Sequence, residues 1–248
     1  VALITTIEPV HIEYFASIEG VADAKAEIFE GMGPNGVAIL NRDNPQYVRL
    51  MTAAQKAGLS RIWNFGEHQD ADARIIELSL HATCSAITAA FKGERLQYCL
   101  SLPGRHHVLN SLAVLLAVRG LEGDLGAAAR AMSSLQPVKG RGLRNRVHLP
   151  QGSFTVIDES YNASPAAMRA AFEVLSRIDP GAGGRHKRRP GFVACPRASL
   201  HRWIDPHIDA LLRDCIQNGV QRGEVKRLQR RAGMVEPFGN FVAVFTRD

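Results

Sequence analysis

The chain has 248 residues, of which 46% are hydrophobic and 22% are charged, and its formal net charge is +6. This composition argues against a disordered or fibrous protein and predicts one large globular domain or two ordinary ones. No run approaches the roughly 18 uninterrupted apolar residues of a membrane span, so the sequence predicts no membrane association.

The positive charge is concentrated at one end of the chain. Residues 185–248 hold 13 of the 30 Lys and Arg residues and 6 of the 24 acidic residues, which leaves 17 basic and 18 acidic residues before them. The four cysteines are widely spaced, without a C-x-x-C pair, which argues against a zinc site and favours a reducing cytoplasm. The excess charge therefore says little about the ligand of the first three quarters.

Apolar strand-like runs alternate with helical runs over the first part of the chain. The pattern predicts strands at residues 2–5, 36–41 and 61–65. It predicts helices at residues 17–29, 106–119 and 126–135, and one more that follows the second strand and ends at about residue 57. Two β-rich runs, at residues 75–91 and 96–102, flank a hairpin turn at Lys92-Gly93-Glu94. Strands that alternate with helices indicate an α/β domain with a mainly parallel sheet and a local antiparallel piece.

A composition rich in Pro, Gly and Arg marks residues 136–146 as a linker. A strand at residues 154–158 and a helix at residues 165–177 would then open a second α/β domain. Periodicity decays after residue 179, where glycines lead into a basic run, and only a short helix at 208–215 and a strand at 241–245 are predicted. We therefore expect domains at residues 1–137 and 138–184, followed by an aberrant basic tail at residues 185–248.

Two candidate groups lie near the start of the chain. His11 follows the first predicted strand, where α/β folds commonly place ligand-binding groups. Lys25 is four residues after Val21 and three before Ile28, so its stem is predicted to share their apolar face. The alternative for Lys25 is a surface lysine that extends its ammonium to water, which is the usual behaviour of helical lysines.

Asn41 and Asp43 end the second predicted strand, where a carboxylate could help position a cation or a phosphate. The simpler interpretation is a turn-forming Asn-x-Asp sequence. Further along, the predicted helix from His106 begins at paired histidines, and free N–H groups at a helix start attract anions. Asn110 falls among apolar neighbours, so its amide is predicted to be buried and to bond either backbone or a base edge.

The fourth group combines Arg141 or Arg144 with the run from Asp158 and Glu159 to Pro165. Two carboxylates that end an apolar strand lie where open α/β sheets bind ligands, and such carboxylates commonly accept ribose hydroxyls. The alternative interpretation is a capped helix start. The position of the acidic pair favours a ligand site.

These four groups occur in the order and spacing of the Mur ligases, which the chain resembles over residues 1 to about 180. The resemblance rests on the segments ALITTIEPVHIEYFASIEGVADAKAEIF, AILNRDNP, LPGRHHVLN and VIDESYNASP. The last segment is typical of the member that adds D-alanyl-D-alanine. The resemblance implies a Mur-ligase central domain of the P-loop type, without its N-terminal part, followed by the start of a Rossmann-like C-terminal domain.

The resemblance implies an ATP-dependent, cytoplasmic and monomeric ligase of peptidoglycan precursor synthesis. Its substrates would be UDP-N-acetylmuramoyl-tripeptide and D-alanyl-D-alanine, joined through an acyl phosphate. His11 would bind Mg²⁺, together with Lys25 as a carbamate formed with CO2. The resemblance also implies contacts to ATP. Asn110, with His106 nearby, would contact the adenine, Glu159 and Asp158 would contact the ribose, and Arg144 would contact the phosphates.

The sequence also departs from the family. The phosphate loop G-x-x-x-x-G-K-[ST] does not occur in these residues, and His107, Ser164 and Thr6 stand where the family commonly has Asn. The chain is thus expected to be an inactive or impaired fragment. The loss of motif and periodicity at one point suggests a frameshift near Gly184, with the residues from about 185 out of frame.

Two other functions are considered. A basic nucleic-acid-binding protein would use the Arg-rich tail, but Trp203 has few aromatic neighbours for base stacking, so no specific nucleic acid is expected. A folylpolyglutamate-synthase-like ligase would share the His, Lys and Asn segments. The run from Asp158 to Asn162 disfavours that relative.

Overall fold

The computed structural model describes residues 1–9, 12–149, 152–159, 161, 164–178, 191–194 and 242–247. The chain divides into two compact units, Val1–Leu135 and Gln136–Asp248. No helix in the described part of the chain is long and apolar enough to cross a bilayer.

The described residues of the first unit form six strands and five α-helices. In chain order these are β1 (Ala2–Ile4), α1 (Ile12–Phe15), α2 (Ile18–Ala26), β2 (Val37–Asn41), α3 (Tyr47–Lys56), β3 (Arg61–Gly66), β4 (Ala73–Leu80), β5 (Ser85–Phe91), β6 (Glu94–Leu100), α4 (Arg105–Gly120) and α5 (Leu125–Ala131). The strands form one sheet in the order β1-β2-β3-β4-β5-β6. The pairs among β1 to β4 are parallel, and β5 and β6 add antiparallel pairs.

The predicted α/β domain with a mainly parallel sheet is therefore confirmed. The β-rich run at residues 75–91 is two strands, because His81 and Cys84 close a turn through a backbone hydrogen bond of 2.9 Å. The hairpin at Lys92-Gly93 also forms, with Gly93 at φ +92°. Glycine adopts this left-handed conformation without the steric cost of a Cβ atom.

Strand β2 contributes to two hydrophobic cores, one on each face of the sheet. Val37 and Ile39 belong to the core that α4 and α5 cover. Ala38 and Leu40 belong to the core under α2 and α3. Successive side chains of a strand point to opposite faces, so an uninterrupted apolar run is what a strand buried on both sides requires.

Helix α2 begins as the sequence predicts. Ser17 is its N-cap, and the Ser17 hydroxyl accepts a hydrogen bond from the Gly20 N–H at 3.1 Å. The helix tightens into a 3₁₀ turn at Glu27–Phe29. Phe29 is consequently buried, whereas Ile28 is 51% exposed, so the apolar face predicted for Val21, Lys25 and Ile28 is wrong at Ile28.

The second unit contains β7 (Leu143–Leu149), β8 (Gly152–Asp158), α6 (Pro165–Ser176), β9 (Gly191–Ala194) and β10 (Val242–Arg247) among its described residues. The strand-then-helix start is as predicted. The described strands pair in the order β7-β8-β10-β9, and every pair is antiparallel, unlike a Rossmann-like sheet. The register brings Leu149 opposite Gly152, and so short a connection permits only antiparallel strands.

The prediction of a linker at residues 136–146 is wrong for its last part, because β7 begins at Leu143. The composition suggested a linker, but Arg144, Arg146 and His148 alternate with mostly apolar residues. That period of two is typical of a strand. The predicted strand at residues 241–245 agrees with β10, whereas the predicted helix at 208–215 lies outside the described residues.

Candidate functional site

The carboxyl ends of β1 and β2 are joined by polar side chains. The Asn41 amide donates to the Thr5 carbonyl oxygen at 2.9 Å. The Asn44 amide donates to the Thr6 hydroxyl at 3.2 Å and to the Ile7 carbonyl oxygen at 3.1 Å. These bonds fix the backbone that leads toward His11, which itself lies outside the described residues.

Lys25 reaches the same place from α2. Its Nζ donates a hydrogen bond to the Thr6 carbonyl oxygen at 3.1 Å, and the side chain is exposed. The structure thus agrees with a surface ammonium rather than a buried one. Lys25 nevertheless lies beside the strand ends, where open α/β sheets bind ligands.

Asn41 and Asp43 behave as turn residues. The Asn41 side-chain oxygen accepts from the Asp43 N–H at 2.9 Å. The two Asp43 oxygens accept from the Glu67 and His68 N–H groups at 2.7 and 3.0 Å. The turn interpretation therefore agrees with the structure, because both carboxylate oxygens accept backbone N–H groups of the loop after β3.

Helix α4 begins at Arg105, one residue before the predicted start at His106. Gly104 is the N-cap at φ +113° and, as a glycine, has no side chain that could cap the helix. The His106 and His107 rings lie 4.0 Å apart between centroids. Arg105, the first helical residue, forms an ion pair with Glu67.

Asn110 is exposed, so the prediction of a buried amide is wrong. The buried side of α4 carries Val108, Leu112, Leu115 and Leu116. Asn110 falls opposite Val108 and Leu112 at 3.6 residues per turn, although its sequence neighbours are apolar. An exposed amide at this helix remains able to bond the edge of a base.

In the second unit, Asp158 holds the turn that precedes β7. It is 6% exposed and its Oδ2 accepts from the Gly140 N–H at 3.0 Å, while its carbonyl oxygen accepts from the Gly142 N–H at 2.8 Å. The Tyr161 N–H donates to the Gly140 carbonyl oxygen at 3.1 Å. Nothing in the sequence other than the two glycines indicated this structural use of Asp158.

Glu159 is half-buried beside the same turn. Burial raises the pKa of Glu159 to about 7, with the Asp158 charge adding to the rise and Arg141 opposing it. The Arg141 guanidinium lies 4.0 Å above the Tyr161 ring. Burial also lowers the pKa of Arg144, which lies on β7 opposite Ile157.

The predicted site residues thus fall into two sets. Lys25, His106 and Asn110 belong to the first unit, and Arg144, Asp158 and Glu159 belong to the second. The sequence had not singled out Glu67, whose pairing with Arg105 depends on the fold. Among the described residues, no three His, Cys, Asp or Glu side chains cluster closely enough to hold a metal ion.

Comparison with known families finds relatives of the part of the chain that carries Lys25, His106 and Asn110. The model of the Mur ligase middle domain matches residues 1–118. This match covers 118 of the 248 residues, so this part of the chain is similar to the middle domain of the Mur ligases. A second model, described as FemAB-like and concerned with peptidoglycan biosynthesis and recognition, matches residues 161–239.

Individual Mur ligases extend the likeness beyond the middle domain. The UDP-N-acetylmuramoyl-tripeptide–D-alanyl-D-alanine ligase of Escherichia coli is 32% identical over 183 residues, which cover 73% of this chain and 38% of that protein. The corresponding ligase of Rickettsia prowazekii is 30% identical over 178 residues, 72% of this chain and 39% of that protein. The chain thus spans about two fifths of the length of these relatives.

Solved structures of Mur ligases agree. MurF from Acinetobacter baumannii superposes with a TM-score of 0.64 at 28% identity, covering 72% of this chain and 37% of that one. MurF from Thermotoga maritima in complex with ADP gives a TM-score of 0.58 at 22% identity, covering 72% and 39%, which shows the fold. The domain limits and the frameshift near Gly184 stay predictions.

Proposed function

We propose that this chain derives from an ATP-dependent ligase that adds D-alanyl-D-alanine to UDP-N-acetylmuramoyl-tripeptide. The supporting observation is the 32% identity to the Escherichia coli ligase of that name over 183 residues, a length that reaches into both units. The exposed amide of Asn110 and the half-buried carboxyl of Glu159 suit an adenine edge and ribose hydroxyls.

The reaction proposed for the complete enzyme has two balanced steps. The tripeptide's terminal carboxylate oxygen takes the γ-phosphoryl group of ATP, which releases ADP and leaves an acyl phosphate. The D-alanyl-D-alanine amine then attacks the acyl carbon, phosphate departs, and the amine loses a proton as the amide forms. Such chemistry depends mainly on positioning and on neutralising charge.

The described residues do not by themselves fit a resident Mg²⁺. Lys25 is a cation as an ammonium, and each Asp43 oxygen already accepts a backbone N–H. His11 lies outside the described residues. Magnesium commonly reaches a protein with the phosphates of its nucleotide, through one or two carboxylates. We therefore keep ATP and Mg²⁺ as proposed ligands and assign the metal no step.

The proposal is tested at the gene and then with the protein. The locus is sequenced on both sides of the codon for Val1, and the complete reading frame found there is expressed. We expect an in-frame phosphate loop upstream, and ADP release from that product that requires both the tripeptide substrate and D-alanyl-D-alanine. Ligation of a different amino acid in place of D-alanyl-D-alanine would overturn the assignment.

The 248-residue chain is the matched comparison. We expect it to bind ATP with Mg²⁺ weakly or not at all, in both wild type and Lys25→Ala, because its sequence contains no phosphate loop. Isothermal titration measures this directly. Micromolar affinity would contradict the proposal that these residues form an incomplete nucleotide site.

A further inference from the structure

Asp43 connects the ends of two parallel strands. It follows β2 by two residues, and its carboxylate oxygens accept hydrogen bonds from the N–H groups of Glu67 and His68, just after β3. The Arg42 N–H donates to the Phe65 carbonyl oxygen at 2.8 Å. The segment after β2 therefore fixes the first residues of the loop after β3.

Gly66 makes this close approach possible. A Cβ atom placed on Gly66 would lie 2.5 Å from an Asp43 carboxylate oxygen, and Gly66 has φ +155°. A side chain there would push the carboxylate away from the two N–H groups. The Asp43 contact and the glycine thus depend on each other.

The fixed loop in turn reaches the start of α4. Glu67, whose N–H is bound by Asp43, forms the ion pair with Arg105 through its carboxylate. Arg105 is the first residue of the helix that carries His106 and Asn110. A continuous set of contacts therefore runs from the end of β2 to the first turn of α4.

We propose that Asp43 is a positioning residue that sets the first turn of α4 through Glu67 and Arg105. The inference rests on the proposed function in one respect, namely that the nucleotide binds at this helix. Both carboxylate oxygens of Asp43 accept backbone N–H groups, from Glu67 and His68, so its assigned role is to hold this loop. Losing it moves the helix start rather than removing a ligand contact.

Asp72 provides a matched control. Its Oδ2 accepts the Asn64 N–H at 2.9 Å, and its own N–H donates to the Asn64 side chain at 3.2 Å. The Lys92 Nζ atom lies 4.0 Å from the other Asp72 carboxylate oxygen. Asp72→Asn therefore removes the same charge beside β3, away from the first turn of α4, while its remaining side-chain oxygen can still accept the Asn64 N–H.

The test compares amide hydrogen exchange in Asp43→Asn, Asp72→Asn and Glu67→Gln variants of the 248-residue chain without nucleotide. The N–H groups of His107 and Val108, which donate to the Gly104 carbonyl oxygen, report on the first turn of α4. We expect exchange there to rise about fivefold in Asp43→Asn and Glu67→Gln, the effect of one lost capping-type bond. Asp72→Asn should leave these amides unchanged.

Urea unfolding of the same variants separates a local effect from a general one. If Asp43→Asn and Asp72→Asn loosen α4 equally, or if neither does, Asp43 is not a positioning residue. The imidazole NMR signals of His106 and His107 provide a second readout, expected to shift in Asp43→Asn and to stay in Asp72→Asn.

A nucleotide titration distinguishes this inference from the proposed function. ATP with Mg²⁺ is added to the complete reading-frame product, and exchange at α4 is followed. Protection of α4 that weakens in Asp43→Asn supports both proposals. If nucleotide protects α4 in no variant while the fivefold rise in amide exchange persists, the proposed nucleotide site is wrong. The Asp43 contacts would then still determine the start of α4.

Discussion

The Nζ atom of Lys25 lies 3.1 Å from the carbonyl oxygen of Thr6, so the last turn of α2 is bonded to the backbone just after β1. This hydrogen bond is compatible with carbamylation. A neutral lysine amine that adds CO2 loses one proton and keeps one N–H, which can still donate to Thr6. The exposure of Lys25 gives CO2 access to the nitrogen.

Carbamylation of Lys25 can be measured by NMR with ¹³C-labelled bicarbonate. We expect a carbamate signal in wild type that disappears in Lys25→Arg, because the guanidinium cannot form this adduct. Lys56→Arg, at the exposed end of α3, should retain the signal. A signal that survives in Lys25→Arg would show that another amine carries the carbamate.

Gly20→Ala should destabilise the first unit. A Cβ atom at Gly20 would overlap the Phe15 carbonyl oxygen, which also accepts the Ser17 N–H at 2.7 Å and so cannot move freely. We expect the free energy of unfolding in urea to fall by about 2 to 3 kcal/mol. Gly31→Ala is the control, since nothing lies within 4 Å of its added Cβ. Equal losses in the two variants would contradict this explanation.

Glu159 should make the second unit less stable as pH rises. Because the pKa of Glu159 is raised to about 7 in the folded chain, from 4.5 for an unperturbed glutamate, the folded state binds more protons than the unfolded state between these values. Stability is therefore fully present below about pH 4.5 and is lost as the pH passes through about 7. Thermal unfolding against pH should show this loss in wild type and not in Glu159→Gln.

Glu173→Gln serves as the comparison for that experiment. Glu173 forms an ion pair with Arg177 on α6 at 2.8 Å, in the same unit. We expect this variant to keep the wild-type dependence on pH over the same range. If the stability of Glu173→Gln did not depend on pH over this range, the pH dependence would belong to Glu173 and not to Glu159.

Ser111→Ala should cost more than Tyr98→Phe, although both break the same buried hydrogen bond of 2.6 Å. The Ser111 hydroxyl donates to the Val108 carbonyl oxygen at 2.7 Å, so Tyr98 must be the donor to Ser111. Burial raises the pKa of Tyr98 to about 12, which keeps its hydroxyl protonated. Ser111→Ala leaves that hydroxyl without its acceptor, at a cost of about 2 kcal/mol against about 1 for Tyr98→Phe. The reverse order in urea unfolding would disprove the assignment of the donor.

The fold of the first unit could be read from the sequence because its signals are local. Ser17 caps α2 as predicted, and the apolar run of β2 is buried on both faces. The burial of Asn110 could not be read from its neighbours, since exposure depends on which side of α4 meets the sheet. Ile28 was misplaced because a 3₁₀ turn changes the angular step between residues.

Tertiary partners explain most of what the sequence missed at the site. Asp158 looked like a ligand group, but its carboxylate is used by the Gly140 N–H from a distant turn. Asp43 was ambiguous between turn and cation, and the structure occupies it with the Glu67 and His68 backbone. Whether a carboxylate at a strand end meets a ligand or the chain's own amides depends on loops whose paths no local pattern encodes.

The alternation along β2, with Val37 and Ile39 in one core and Ala38 and Leu40 in the other, has a consequence for how the first unit comes apart. Neither layer of helices can separate from the sheet without exposing one side of β2 to water. A mutation that destabilises the core beneath α3 should therefore also destabilise the core beneath α4. We expect the two layers to unfold in a single cooperative transition.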